Sequence, residues 1–101
     1  MKDLQQTISP KAALSVICYD ACHLISGWLY DLRENGGYLR SSANDRLFAS
    51  SAQVSLHILN ERTGEAISVP ARLGQAVRDD GAWVYPVRWP KYPELLEKLA
   101  A

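Results

Sequence analysis

Hydrophobic and polar residues alternate with a period of two along most of this chain. In a β-strand every second side chain lies on the same face, so the alternation predicts strands with one buried and one exposed face. Polar residues between the apolar ones, such as Gln53, His57 and Arg72, are expected to face water. The expected buried faces are Leu14, Val16 and Cys18; Leu24, Ser26, Trp28 and Tyr30; Ala52, Val54, Leu56 and Ile58; Ile67, Val69, Ala71 and Leu73; and Trp83, Tyr85, Val87 and Trp89.

Turn-forming residues separate these segments at intervals of about ten residues, a spacing typical of all-β barrels and sandwiches. Asn35-Gly36-Gly37 supplies residue types that accept the positive φ of a tight hairpin. Further hairpin loops are predicted at Asn60–Gly64 and Asp79–Gly81, while Ser41–Ser51 forms a longer crossing. The strands are therefore expected to be antiparallel neighbours joined mainly by hairpins.

Several residues indicate where the sheet ends or opens. Pro70 and Pro86 lie within predicted strands, although proline cannot donate a hydrogen bond to a neighbouring strand. We expect both at a sheet edge, at a bulge or at the start of a strand. In the longer crossing, Leu47 and Phe48 are expected to pack against one end of the barrel.

The period changes only at the C-terminus, where three leucines share one helical face: Leu95, Leu96 and Leu99. Pro93 suits the first turn of a helix, so a short helix is predicted over Pro93–Ala101. The pattern thus predicts the all-β class, a barrel or a sandwich of six short strands followed by a short C-terminal α-helix. We expect a flexible N-terminal arm at residues 1–11 and a single barrel domain over residues 12–101.

Composition and charge narrow the class of function. The chain has 101 residues, of which 48% are hydrophobic and 22% charged, as in an ordinary globular domain. Eleven basic and eleven acidic residues give a formal net charge of zero, so nucleic acid is not an expected partner. No apolar run reaches the roughly 18 residues of a membrane-spanning helix. Because Met1–Gln6 is also polar, we expect no membrane insertion and a cytoplasmic location.

Candidate catalytic and metal-binding groups are few. Cys18, Cys22 and His23 have the ligand chemistry of a partial zinc or haem site. A strand, however, places the two cysteines about four residues apart along one face, so we expect structural cysteines and no metal or cofactor. His57 lies on a polar face without an acidic neighbour, and no nucleophile elbow or HExxH motif occurs. The sequence predicts no catalytic residue and no enzyme activity.

The three tryptophans allow two interpretations. Trp28, Trp83 and Trp89 could form base-stacking platforms like those of small oligonucleotide-binding barrels. Alternatively they fill the core. The neutral charge and the scattered basic residues favour the core.

The segment Gly27–Ser41, GWLYDLRENGGYLRS, resembles the second strand, turn and third strand of the PilZ domain. PilZ domains are bacterial six-stranded antiparallel barrels with a terminal helix, and they commonly bind the second messenger cyclic di-GMP. The resemblance extends from about Ala12 to Trp89 and includes the expected strands Gln53–Leu59, Ile67–Val77 and Gly81–Trp89. It implies that this chain forms a six-stranded antiparallel PilZ-like barrel with a short C-terminal α-helix.

The resemblance also implies a ligand site. At the turn the family carries Asp or Asn, then Ser two positions on, then Gly three positions further. Asp31, Arg33 and Gly36 occupy these positions here, so the first and third match. These three residues are the candidate ligand-binding residues.

The family's receptors carry in addition two arginines, four positions apart, before the first strand. Here no arginine precedes Arg33, and Lys2 and Lys11 are the basic residues of that region. A lysine ammonium supplies neither the planar fork nor the stacking surface of a guanidinium. The expected function is therefore a non-catalytic adaptor with weak or absent cyclic di-GMP binding, acting on a protein partner such as a motility, pilus or secretion component.

An alternative is a direct cyclic di-GMP receptor with a non-standard residue set around Asp31–Gly36. In that case Arg33, Arg40 or Arg46 would replace the missing arginine pair. The sequence leaves the oligomeric state open.

Overall fold

Seven β-strands form one sheet in the computed structural model, which describes residues 14–91, 94, 96 and 99. Within these residues no helix has the length and apolar character needed to cross a membrane. The strands are β1 (Leu14–Tyr19), β2 (Leu24–Arg33), β3 (Gly36–Ser41), β4 (Gln53–Asn60), β5 (Ala66–Leu73), β6 (Val77–Asp79) and β7 (Ala82–Arg88).

The sheet closes into a barrel because β3 pairs with β7 as well as with β2. The strand order is β3-β2-β1-β4-β5-β7-β6, and each pairing is antiparallel. The β3–β7 pairing completes a ring of six strands and leaves β6 outside it. The predicted six-stranded antiparallel barrel is thus confirmed, with one extra strand.

The extra strand arises because the predicted strand Ile67–Val77 is interrupted after Leu73. The chain leaves β5 at Gly74, whose N–H donates to the Pro86 carbonyl oxygen at 2.7 Å. The N–H and C=O of a strand residue point to the same side, so the missing N–H of Pro86 faces the gap between β5 and β6. On that side β7 is locally an open edge at Pro86, which is one of the three positions expected for this proline.

Pro70 lies on an open edge, as expected. It stands opposite Ser55 of β4, whereas β5 pairs with β7 only at Arg72 and Leu73. The Leu73 N–H donates to Ala52 on the β4 side of the strand. Successive residues of a strand direct their N–H groups to opposite sides, so the nitrogen of Pro70 points away from β4. On that side no described strand pairs with Pro70 and needs a donor from it.

The core confirms the predicted inward faces of β1, β4, β5 and β7, whose members are all buried or partly buried. The predicted face of β2 is wrong. This strand buries Ile25 and Leu29, whereas Leu24 is 64% exposed and Trp28 46% exposed.

The error has a physical reason, since both faces of β2 carry large apolar side chains and the period of two cannot choose between them. The closed interior already holds Phe48 and Tyr85, which are 2% and 0% exposed. Ile25 and Leu29 belong to the same buried cluster, and in a close-packed interior an indole in place of either would overfill the space. Trp28 therefore lies on the outside.

Outside the strands, the crossing after β3 and the C-terminal residues Leu96 and Leu99 contribute buried side chains to the core. In the crossing Phe48 is buried as expected, while Leu47 is 36% exposed and its N–H donates to the buried Tyr85 hydroxyl at 3.1 Å. At the C-terminus Leu96 and Leu99 are buried. Most of the predicted helix, Leu95 included, and the expected arm at residues 1–11 lie outside the described residues. The helix stays a prediction.

Candidate functional site

The three candidate ligand-binding residues lie together in the hairpin that joins β2 to β3. Arg33 pairs with Gly36 across the turn, and the register shifts between Tyr30 and Arg33, which marks a β-bulge. Within the bulge Asp31 has a φ of 57°, in the left-handed region that Asp tolerates better than most residues. The bulge brings the backbone of Asp31 close to the turn.

The glycines of this turn have a different role from the one predicted. Positive φ occurs at Asp31 and not at Asn35, Gly36 or Gly37. Gly36 is needed because β7 passes directly against it, so that a Cβ at this position would lie 1.8 Å from the Val87 carbonyl oxygen. Closure of the barrel therefore demands glycine at position 36, independently of any ligand.

Arg33 is held loosely by its neighbour in the bulge. Its Nη2 atom lies 3.8 Å from Asp31 Oδ1, and its side chain is 56% exposed. An exposed ion pair of this length adds little to stability. The Arg33 guanidinium is thus available at the surface beside the hairpin.

A cleft of about 630 Å³ opens beside this hairpin, between the turn and the ends of β5 and β7. Its lining includes Asp31, Arg33 and Gly36 together with Arg72 and Arg88. The last two stand directly opposite each other on β5 and β7. The alternation of polar and apolar residues placed Arg72 on a polar face. Its position near the hairpin depends on the β3–β7 and β5–β7 pairings, which the alternation does not reveal.

Arg40 and Arg46, the other two arginines named for the alternative receptor, have different contacts from Arg33. Arg40 binds the β6–β7 hairpin: its Nη1 atom lies 3.2 Å from Asp79 Oδ2, and its Nη2 atom donates to the Asp79 carbonyl oxygen at 3.0 Å. Arg46 lies with its guanidinium 6.0 Å from the centre of the Trp83 ring. Neither Arg40 nor Arg46 lines the cleft beside Arg33.

The two cysteines differ in environment. Cys18 is buried in β1, and burial, aided by the negative charge of Asp20, raises the pKa of its thiol from 9.0 to about 12. Cys22 is exposed in the turn after β1, so the expected strand through both cysteines is wrong. The turn forms because Asp20 Oδ1 accepts the N–H groups of Cys22 and His23 at 2.8 and 2.7 Å, which lowers the pKa of this carboxyl. Among the described residues no group of three potential ligands could hold a metal ion.

His57 forms a cross-strand contact on the outer wall of the barrel. Its Nδ1 atom lies 3.2 Å from Ser68 Oγ, on the facing residue of β5. Within the described part of the chain, no carboxylate forms an ion pair with the imidazole. The pair lacks the third group that orients a catalytic histidine, so the geometry adds no support for nucleophilic catalysis.

Large apolar side chains cover part of the outer wall, a feature that the alternation along the chain did not predict. Trp28 on β2 was expected in the core but is 46% exposed, whereas Trp89 is buried and Trp83 partly buried. Two positions further along β2, Tyr30 pairs with Tyr38 of β3, with ring centroids 5.8 Å apart.

This apolar surface continues onto the neighbouring strands. Tyr38 stands opposite Pro86, and a shallow recess of about 380 Å³ connects Tyr30 and Tyr38 with Pro86 and Val77. Val77 is 59% exposed. We refer to Trp28, Tyr30, Tyr38, Val77 and Pro86 as the aromatic face.

In comparisons with family models, with curated proteins and with solved structures, nothing matches this chain.

Proposed function

We propose that this chain is a non-catalytic bacterial adaptor domain of the PilZ type, which acts in the cytoplasm by docking to another protein through its aromatic face. The PilZ assignment rests on the resemblance of Gly27–Ser41, and the barrel is consistent with it. The partner class that the resemblance suggests is a motility, pilus or secretion component. The observation that carries the docking role is the exposure of Trp28, Tyr30 and Tyr38 side by side on the outer wall.

The fold itself does not require these side chains. The interior is filled by the opposite faces of β2 and β3, where Ile25, Leu29 and Leu39 are 3%, 2% and 0% exposed. Contiguous exposed apolar surface is uncommon on soluble domains and marks interaction sites. Trp and Tyr in particular supply much of the binding energy at protein interfaces, because each buries a large rigid surface and offers a polar group.

Charged groups border the aromatic face and suggest the chemistry of the partner. Arg40, opposite Trp28, forms an ion pair with Asp79, while Asp31 and Arg78 line the shallow recess. An apolar centre with a polar rim matches the general arrangement of protein interfaces. A partner with an apolar or aromatic anchor and polar flanking residues would suit this surface.

The alternative receptor function has one observation in its favour. Arg33, Arg72 and Arg88 all line the cleft beside the β2–β3 hairpin, so basic side chains do converge near Asp31 and Gly36. A titration separates the two functions. We expect no calorimetric response of the isolated protein to cyclic di-GMP at about 100 µM, which corresponds to about −5.5 kcal/mol. A saturable isotherm tighter than this, lost in Arg33→Ala, would favour the receptor.

Site-specific photo-crosslinking tests the adaptor function. A photoreactive phenylalanine analogue at Tyr38 should yield a discrete crosslinked partner in cells of the native host. The same group at His57, on β4, should not yield that product. Trp28→Ser should weaken the crosslink from position 38 without lowering the melting temperature. Equal crosslinking from both positions, or no effect of Trp28→Ser, would contradict docking at the aromatic face.

A further inference from the structure

Two arginines stand directly opposite each other at one end of the barrel. Arg72 on β5 pairs in register with Arg88 on β7, and both side chains are exposed on the outer wall. Facing residues of an antiparallel pair have Cβ atoms about 4.5 to 5.5 Å apart, close enough for both guanidinium groups to reach one small ligand. In the same transverse row Gly36 of β3 stands beside Arg88, and Gln53 of β4 stands beside Arg72.

This arrangement is electrostatically unfavourable in the free protein. Like charges directly opposite each other destabilise a sheet. The chain has eleven acidic residues for its eleven basic ones, so an acidic residue opposite one of these arginines would have been possible. Within the described residues no carboxylate lies within ion-pair distance of either arginine. Among the described residues the Arg72 side chain has a single polar contact, from Nη1 to the Ser51 carbonyl oxygen at 3.3 Å, and the Arg88 side chain has none.

The acidic side chains nearby do not neutralise the pair. Asp31 lies against Arg33 at 3.8 Å, and Asp20 accepts the N–H groups of its own turn. Glu34, on the β2–β3 turn, also lines the cleft, but it forms no ion pair with Arg72 or Arg88. Two positive charges thus lie side by side without a counter-charge from the described part of the chain.

Space for a ligand exists on both sides of the arginine pair. Arg72 and Arg88 line the 630 Å³ cleft beside the β2–β3 hairpin and also a second cleft of about 930 Å³ beside β1 and β4. The second cleft offers Tyr19 and Pro70 as apolar contacts. On the hairpin side the lining includes Gly36 and Gly74, which carry no side chains. A ligand held at the arginine pair could extend its remaining part into either cleft.

We propose that Arg72 and Arg88 form a binding site for the phosphate group of a small phosphomonoester. Each guanidinium presents a planar fork that binds phosphate oxygens with two parallel hydrogen bonds. A phosphomonoester carries about −1.5 to −2 charges at pH 7, which matches two adjacent arginines, whereas a phosphodiester carries only one charge. This site goes beyond the adaptor function and does not depend on it.

Calorimetric titration at pH 7.5 and fixed ionic strength tests the site, with inorganic phosphate, glucose 6-phosphate and dimethyl phosphate as probes. We expect saturable one-site binding of the first two and at least about tenfold weaker binding of the diester. Arg88→Gln should weaken phosphate binding by about tenfold or more, and Arg88→Lys should restore it in part because the charge remains while the fork is lost. Arg46→Gln, which removes an exposed arginine outside both clefts, is the matched control and should bind as the wild type does.

Several outcomes would overturn the proposal. They are phosphate binding that does not saturate, binding that falls equally in Arg46→Gln, or binding that Arg88→Gln leaves unchanged. Binding of cyclic di-GMP at least as tight as that of glucose 6-phosphate would also overturn it and would favour the alternative receptor. Because Arg72 also contacts Ser51, Arg72→Gln is a secondary variant whose melting temperature must be measured first. The phosphate site is tested with Arg88 and Arg72 variants, whereas docking at the aromatic face is tested with Trp28 and Tyr38 variants. Failure of the phosphate site is therefore distinguishable from failure of the adaptor function.

Discussion

The indole Nε1 of Trp89 donates a 3.0 Å hydrogen bond to the carbonyl oxygen of Glu34, 55 positions earlier in the chain. The backbone N–H of Trp89 also donates to the Asn35 carbonyl oxygen at 3.2 Å. Both acceptors belong to the turn between β2 and β3. The residue after the last strand therefore fastens the hairpin that carries Asp31, Arg33 and Gly36.

Trp89→Phe should loosen this hairpin while retaining most of the buried ring. Loss of the indole hydrogen bond and of part of the ring volume should lower the free energy of unfolding by about 1 to 3 kcal/mol. Urea denaturation provides the measurement. Trp28→Phe is the control, since Trp28 is exposed, and should change stability by less than about 0.5 kcal/mol. A larger loss in the control than in Trp89→Phe would contradict the role given to Trp89.

Gly36→Ala should prevent normal closure of the barrel, because the new Cβ would lie 1.8 Å from the Val87 carbonyl oxygen. We expect a loss of at least about 3 kcal/mol, or a failure to fold, in thermal unfolding followed by circular dichroism. Gly64→Ala is the matched control. Gly64 has a φ of 80° but open space around it, so its replacement should cost about 1 to 2 kcal/mol from backbone strain alone. Equal effects at the two positions would show that the close approach at Gly36 is unimportant.

Stability should fall above pH 9 through the buried thiol of Cys18. Its pKa is raised in the folded protein from 9.0 to about 12, so the folded state favours the neutral thiol. Below pH 9 the thiol is neutral in both states and the free energy of unfolding is unaffected. Between pH 9 and 12 the thiol ionises in the unfolded state only, so the free energy of unfolding falls by up to about 1.4 kcal/mol per pH unit. Denaturant unfolding at pH 8, 9 and 10.5 should show a steeper decline in the wild type than in Cys18→Ala. Parallel pH profiles would mean that Cys18 is not protected from ionisation.

Thiol labelling should separate the two cysteines of the native protein. At pH 8 the exposed Cys22 should react with iodoacetamide, whereas the buried Cys18 should react only after unfolding. Mass spectrometry of the labelled peptides gives the site of modification. Rapid labelling at Cys18 under native conditions would contradict its burial.

Leu96→Asp should destabilise the domain strongly, since this side chain is 0% exposed in the core. A buried carboxylate without a partner should cost about 3 kcal/mol or more, and each kcal/mol corresponds to about 4 to 8 °C in melting temperature for a domain near this size. Leu24→Asp, at a position that is 64% exposed, is the control and should melt close to the wild type. If Leu96→Asp kept the wild-type melting temperature but lost self-association or partner capture, Leu96 would instead belong to a docking surface.

The amino-acid sequence by itself determined the all-β class, most strand positions and the inward faces of β1, β4, β5 and β7. In β4, for example, Val54, Leu56 and Ile58 alternate with polar residues, so burial of apolar surface allows only one orientation. In β2 both faces carry apolar side chains, so the sequence pattern alone does not show which face gains more free energy from burial. Only the packing of the closed interior, where Ile25 and Leu29 share one buried cluster with Phe48 and Tyr85, decided that Trp28 and Tyr30 lie outside.

The same limit applies to the candidate sites. The spacing of Asp31, Arg33 and Gly36 placed all three in one hairpin, because residues so close in sequence share a turn whatever the rest of the chain does. That Gly36 lies beside Arg88, and Arg88 beside Arg72, followed from the pairing of β7 with β3 and β5. Such contacts join residues far apart in sequence, and their register is set by closure of the ring and packing of its core, so tertiary structure alone could reveal them.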